Sequence, residues 1–206
     1  MFQVSIQPII CLMNKMTGTN NKIVITGLSG NIGHLLYHRL QDKWEISGID
    51  VKESRELPVK VGDISKYGSV EYVFNGAHTV IHLAANAYTG AGWETIVEPN
   101  IIGTQNVFKA AHESGVKKII FASSNHVMGL YEKDEPYRSI VTGRYSNLNP
   151  TVIPQIDHTA PVRPDGYYGA SKVFGEALGR FYSEKYGIQV LASDSVRYPG
   201  MIVLSI

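Results

Sequence analysis

Two patterns of apolar residues alternate along this chain. One is a short unbroken run rich in β-branched side chains, such as Ile23-Val24-Ile25, as in a strand whose sheet is covered on both faces. The other is a recurrence every three or four positions, which makes one stripe of a helix. Residues 44–50, 59–64, 79–85, Lys118–Ser123 and 189–192 repeat the first pattern. Residues 34–40 have helical character, and 101–112 place Ile101, Thr104, Phe108 and Ala111 near one stripe. A helix over about 168–186 takes Val173, Ala177, Leu178, Phe181 and Tyr182 as its apolar stripe. Strand and helix in alternation predict an α/β fold with a doubly wound parallel sheet.

Two stretches break the alternation. Residues 1–20 contain Ile9-Ile10-Cys11-Leu12-Met13, too short to span a bilayer and without a basic residue ahead of it to make a secretory signal. Met16 and the polar spacer behind it are a natural place for a chain to begin. Residues 1–20 therefore read as a disordered or misassigned leader, and 21–206 as the domain. Residues 129–165 hold several Pro and Tyr with no sustained period, a loop long enough to be functional or mobile.

Composition narrows the field. At 44% hydrophobic residues the chain can bury a substantial core. A net charge of +1 with scattered basic residues leaves no electrostatic footprint for nucleic acid, and no stretch suits a membrane. The single cysteine, Cys11, excludes an internal disulfide framework and a cysteine-based zinc site, which fits a reducing, cytoplasmic setting.

Candidate chemistry begins where the first strand ends. Gly27, Gly30 and Gly33 follow it at three-residue spacing and open a helix. Such a turn lets backbone approach a pyrophosphate, and the helix N-terminus offers unpaired N–H groups. A plain glycine-rich turn is the alternative. Asp50 ends the second strand about twenty residues on, where an acid can accept from an adenosine ribose and repel a 2′-phosphate. It is otherwise an ordinary strand-end aspartate. Asp63 could equally be a helix N-cap. His82 lies inside an apolar run and reads as a packed core histidine. Ala84 and Ala85 leave room for a ligand at a strand's C-terminal edge. Tyr168 and Lys172 stand four apart on one helix face. Lowering a phenol's pKa by about three units takes roughly 4 kcal/mol, which a lysine and a second nearby cation can supply.

The order of these features resembles the extended short-chain dehydrogenase/reductase pattern over about residues 22–200. TGLSGNIG resembles that family's phosphate loop, implying cofactor contacts from Gly27, Gly30, Asn31, Ile32 and Gly33, with Asp50 on the ribose. Asp63 and Ile64 resemble its adenine-contacting pair, and HLAA (His82, Leu83, Ala84, Ala85) its fourth-strand motif. Asn100 matches the asparagine of its central helix. Ser124 sits where the family has its catalytic Ser or Thr, and Tyr168 and Lys172 match its catalytic pair. SSNHVMG with RPDGYYGASKVFGEALGR is most similar to the uronate dehydrogenases and related NAD-dependent sugar dehydrogenases. There the Asn and His after the serine contact substrate, implying substrate roles for Ser124, Asn125, His126 and Tyr168. Ala87 departs from a substrate-binding serine, and residues 137–154 look inserted. Arg197-Tyr198-Pro199-Gly200 resembles the nicotinamide turn of short-chain threonine dehydrogenases, although Ala192-Ser193-Asp194-Ser195 disturbs the apolar strand expected before it.

The resemblance implies a Rossmann-type domain that binds NAD and no metal, with the C-terminal substrate lobe of the family largely absent. It implies oxidation of a sugar or sugar acid, Tyr168 as base, Ser124 holding the reacting oxygen, and Lys172 on the nicotinamide ribose. A homodimer through the helices near 100–112 and 168–186 is expected. Rival readings are a nucleotide-sugar epimerase or dehydratase that retains NAD, and a non-catalytic NAD-binding protein.

Overall fold

The computed structural model describes residues 21–146 and 148–194 together with residues 9, 10, 13, 204 and 205. The turn Arg197–Gly200 lies outside the described residues. Of the leader 1–20, Ile9, Ile10 and Met13 are described; all three are helical, and Ile9 and Met13 are buried in a cluster with Leu36 and Leu40.

Six strands lie parallel: β1 (Lys22–Thr26), β2 (Glu45–Asp50), β3 (Val59–Val61), β4 (Thr79–His82), β5 (Lys118–Ser123) and β6 (Gln189–Asp194). Their order across the sheet is β3-β2-β1-β4-β5-β6, with β7 (Leu204–Ser205) antiparallel to β6 at the edge. This is the Rossmann order, which reverses direction between β1 and β4 and opens a crevice at the C-terminal ends of those strands. Consecutive side chains point to opposite faces, so Val24, Ile119 and Phe121 join one core while Ile23, Ile25 and Ile120 join the other. Both faces are apolar, which is why the strand runs are unbroken.

The helices are α1 (Asn31–Leu40), α2 (Tyr67–Val70), α3 (Trp93–Ile96), α4 (Gly103–Glu113), α5 (Tyr137–Val141) and α6 (Tyr167–Tyr186). A π-helical stretch, Val97–Ile102, joins α3 to α4 without a break. Helix therefore begins well before the expected residue 101. Pro99 reads as a breaker in sequence because it lacks an N–H, and the widened turn accommodates that loss. The segment 129–165 is not featureless: it contains α5 and 3₁₀ turns at Gly129–Lys133 and Pro150–Val152. Tyr131 and Tyr137 tie it down by donating to the carbonyls of Pro161 and Pro154.

On α6 the expected apolar stripe is inward only in part: Tyr182 is in the core and Leu178 packs against it, but the buried line runs through other residues. Its buried residues are Gly169, Ser171, Lys172, Gly175, Gly179 and Tyr182, whereas Ala177 and Phe181 face solvent. The reason is close packing. A Cβ on Gly175 would run into the Phe121 ring, 2.6 Å from Cε1 and closer still to Cζ, and one on Gly179 would lie 2.8 Å from Val190 Cγ1. Helix and sheet meet where side chains are missing, and a glycine stripe leaves no hydrophobic signal.

Candidate active site

The glycine turn is shaped around one carbonyl. Gly27 adopts φ 77°, open to glycine, and its N–H donates to Ile49 O at 2.8 Å, anchoring the turn to β2. Gly30 N–H donates to Gly27 O at 3.1 Å, and Gly30 precedes α1 with no side-chain cap. A Cβ on Gly33 would sit 2.6 Å from Leu28 O. The first N–H groups of α1, from Asn31 onward, lack intrahelical acceptors and could hold an anion. Asp50 closes this end. Its two carboxylate oxygens accept from Ser29 N–H at 3.0 Å and Lys52 N–H at 2.9 Å, so the acid is lashed to the loop itself.

Asp63 and Ile64 follow β3. Asp63 Oδ1 accepts from Ser65 N–H at 2.8 Å, capping a turn, while α2 begins later with Lys66 as its flanking residue. The Ile64 side chain is buried in the core, so its share in any ligand contact falls to its backbone. The turn is held from α4 by Asn106, which donates to the carbonyls of Ile64 and Ser65.

At the centre of the crevice a polar chain runs through the sheet. His82 Nδ1 meets Thr26 Oγ1 at 2.7 Å and its Nε2 meets Thr104 Oγ1 at 3.1 Å, while Ala84 N–H donates to Thr26 Oγ1 at 3.2 Å. His82 is a packed core histidine, as its surroundings in the sequence suggested. Burial first, then the Lys172 cation, pull its pKa down to about 3. This makes folding acid-sensitive. An unfolded His82 titrates near 6.5 and the folded one does not, so its contribution is complete above pH 6.5 and erodes as pH falls toward 3. Between pH 6.5 and pH 5 the loss is about 2 kcal/mol. Urea unfolding at pH 7.5 and pH 5 should show that loss in the wild type and a smaller one in His82→Gln; equal losses would count against it.

Asn100, on the π-helical stretch, is buried and engages three groups. It accepts Asn86 N–H at 2.7 Å, donates to Asn86 O at 3.1 Å and donates to Ser171 Oγ at 3.0 Å. It thereby joins the loop after β4, which carries Leu83, Ala84 and Ala85, to α6. Ser171 in turn donates to Tyr168 O at 2.7 Å. Ala87, further along that loop, is exposed.

Tyr168 and Lys172 occupy the first turns of α6. The Lys172 ammonium is buried, donates to Ala122 O at 2.7 Å and lies 5.5 Å from the Tyr168 ring centroid. Burial lowers its pKa to about 8, against the pull of the Glu176 carboxylate, which accepts from Ser123 on β5. Ser124, buried at the end of β5, accepts His126 N–H at 3.3 Å and caps the 3₁₀ turn Asn125–Val127. Asn125 is exposed beside it. The His126 ring meets the Tyr168 ring edge-on at 5.7 Å, and its Nδ1 lies 2.6 Å from Asp165 Oδ2.

Ser124, Asn125, His126, Tyr168 and Lys172 thus gather between the end of β5 and the start of α6, while Gly27, Asn31, Ile32, Gly33 and Asp50 gather at β1 and β2. Asp165, Asn86, Ser171 and Glu176 belong to the same framework and were missed in the sequence. Glu176 alone had a legible signal, one turn beyond Lys172 on the stripe of Tyr168. Among the described residues no cluster of His, Cys, Asp and Glu could hold a metal ion, and no helix is long and apolar enough to cross a membrane.

The chain is similar in sequence and fold to known proteins. The chain is 34% identical over 170 residues to an NAD(P)-dependent L-arabinose 1-dehydrogenase from Haloferax volcanii, covering 82% of this chain and 64% of that protein. It is 35% identical over 178 residues to a uronate dehydrogenase from Pseudomonas putida, covering 84% and 59%. A solved uronate dehydrogenase from Agrobacterium tumefaciens, a tyrosine-to-alanine variant complexed with NAD, matches with a TM-score of 0.69 at 27% identity, covering 82% of this chain and 58% of that one. The chain spans about three fifths of the length of these relatives. Family resemblance itself runs over residues 23–193, from β1 to the penultimate residue of β6, and so takes in the whole parallel sheet with every motif seated on it: the chain belongs to the NAD dependent epimerase/dehydratase family.

Proposed function

We propose that this chain carries the NAD site and the catalytic residues of an oxidoreductase that oxidises a hydroxyl of a sugar or sugar acid. The observation that carries the reading is the convergence of Tyr168, Lys172 and Ser124 on the crevice that the glycine turn opens. The chain's residues fit NAD: Gly27, Gly30 and Gly33 carry no Cβ where the turn is tightest, the α1 N-terminus is uncapped, and Asp50 keeps lone pairs for a ribose hydroxyl. NAD, when bound, supplies the hydride acceptor. Tyr168 takes the proton from the substrate hydroxyl as the adjoining carbon loses its hydride, and Ser124 holds the oxygen. Lys172 binds the nicotinamide ribose and, while charged, favours the Tyr168 phenolate. Asn125 and His126 contact the sugar.

The test is a panel of hexuronates, aldoses, hexose phosphates and threonine with NAD, read by NADH absorbance. Sustained NADH formation with a sugar supports a dehydrogenase. NAD that copurifies and is not released would instead support the epimerase or dehydratase reading, since that chemistry uses the same Tyr, Lys and Ser. NAD binding without turnover on any substrate would leave a non-catalytic binder.

Asp50 gives the cofactor preference a physical basis, because its carboxylate would face a 2′-phosphate. NAD should bind at least tenfold more tightly than NADP, about 1.4 kcal/mol, by calorimetry. Equal affinities would remove the ribose role.

We also assign the chain to a cytoplasmic homodimer. The exposed apolar residues Trp93, Ile102, Tyr167 and Phe181 on α3, α6 and the π-helical stretch support a second copy against this side. Light scattering at micromolar concentration should give twice the chain mass; a folded monomer would overturn the assignment.

A further inference from the structure

The wall between β5 and α6 is built around a carboxylate that the sequence did not single out. Residues 126–130 and 163–165 are zipped together by Leu130 N–H to Arg163 O at 2.9 Å, Arg163 N–H to Val127 O at 2.9 Å and Asp165 N–H to His126 O at 3.4 Å. Arg163 is held by Asp134 and stacks on Tyr131, which fixes the strap's outer end. At its inner end the Asp165 side chain is seated where two glycines make room. A Cβ on Gly129 would lie 2.8 Å from Asp165 Cβ, and one on Gly169 would lie 3.0 Å from His126 C and 3.2 Å from Asp165 Oδ1. Both members of the pair are about one-third exposed, at the rim of the crevice. Among the described residues, the Asp165 carboxylate is the only side-chain partner of the His126 ring nitrogens.

From this geometry we infer that Asp165 is a positioning residue of the active site: through Nδ1 of His126 it fixes the imidazole's tautomer and its edge-on seat against Tyr168. The inference rests on the proposed oxidoreductase reading for its purpose, and on Asp165 and His126 themselves for its content. A carboxylate only accepts, so Nδ1 must carry the proton. Nε2 of the neutral ring is then an acceptor, suited to a sugar hydroxyl that donates. If the ring takes a second proton, Nε2–H becomes a donor and Asp165 the counter-charge, which suits a carboxylate or phosphate on the sugar. An imidazole without Asp165 would be free to place its proton on Nε2 and to turn away from Tyr168.

The test reads the tautomer and needs no turnover. Long-range proton–nitrogen spectra of the ¹⁵N-labelled 206-residue chain are recorded at about pH 8, where an ordinary imidazole is neutral. The His126 signals are identified by their loss in His126→Gln. Wild type should show the Nδ1–H form, and Asp165→Ala should convert it mainly to Nε2–H. Asp165→Asn, which keeps an acceptor oxygen, should restore Nδ1–H. NAD affinity, measured by calorimetry in parallel, should be the same in all the chains that fold. An Nε2–H form in wild type, or spectra unchanged in Asp165→Ala, would overturn the inference. Absence of NAD binding by the wild type would defeat the oxidoreductase reading and leave the tautomer result standing. Should Asp165→Ala fail to fold, Asp165→Leu, which is close in size and offers no acceptor, carries the same comparison.

Discussion

Tyr168→Phe should leave a folded protein that binds NAD and has lost about two to four orders of magnitude in sugar-dependent NADH formation. The substitution removes one oxygen. The ring stays, so its edge-on contact with His126 and its place beside the Lys172 ammonium are kept. What disappears is the phenol oxygen proposed to take the substrate's hydroxyl proton. Ser124 is an alcohol that donates to Asn125 Oδ1, and Lys172, with a pKa of about 8, is mostly protonated at near-neutral pH. Rates of NADH formation and calorimetric NAD affinities, measured on both chains with the same sugar, check the result. A variant that keeps more than a tenth of the rate would show that another group is the base.

The second large effect belongs to Gly33→Ala. The added carbon would meet backbone, 2.6 Å from Leu28 O and 2.7 Å from Leu28 Cα, and would also press on the Gly27 carbonyl. Leu28 is fully buried and cannot retreat. The turn must therefore open, at a cost of about 1–3 kcal/mol, or roughly 2–12 °C in melting temperature. Opening the turn also moves the N–H groups that would hold pyrophosphate, so NAD affinity should fall more than tenfold. Thermal unfolding and calorimetry measure both. Wild-type values for either would mean that the turn is looser than its packing implies.

The sheet was legible because its strands are buried on both faces, so that Ile23-Val24-Ile25 and Ile119-Ile120-Phe121 are continuous apolar runs. The glycine turn, Asp50, Ser124 and the Tyr168–Lys172 pair were legible because each sits at a fixed place after a strand or within a helix turn. The legible part is the part set by backbone order. The inward face of α6 was readable only at Lys172 and Tyr182, since its other contact residues, Gly175, Gly179 and Ser171, carry no hydrophobic signal. Asp165 was hidden for a different reason. It lies 39 residues from His126 in a proline-rich stretch, and only the folded zipper joins them. The purpose of Asn100 was half visible: its position matched, while its bonds to Asn86 and Ser171 belong to tertiary structure.

The glycine stripe of α6 also inverts the usual map of mutational tolerance. On most amphipathic helices the apolar positions are the intolerant ones and the small or polar positions accept nearly anything. On α6 the inward glycines have no ready space for even a methyl group, so the plainest residues, Gly175 and Gly179, should be among the least replaceable along its length. Ala177 and Phe181 face outward and answer only to whatever partner covers them. A saturation library scored for folding of the isolated chain would then show depletion at the glycines and near silence at the aromatic, and the same library scored for assembly would show the aromatic position for the first time.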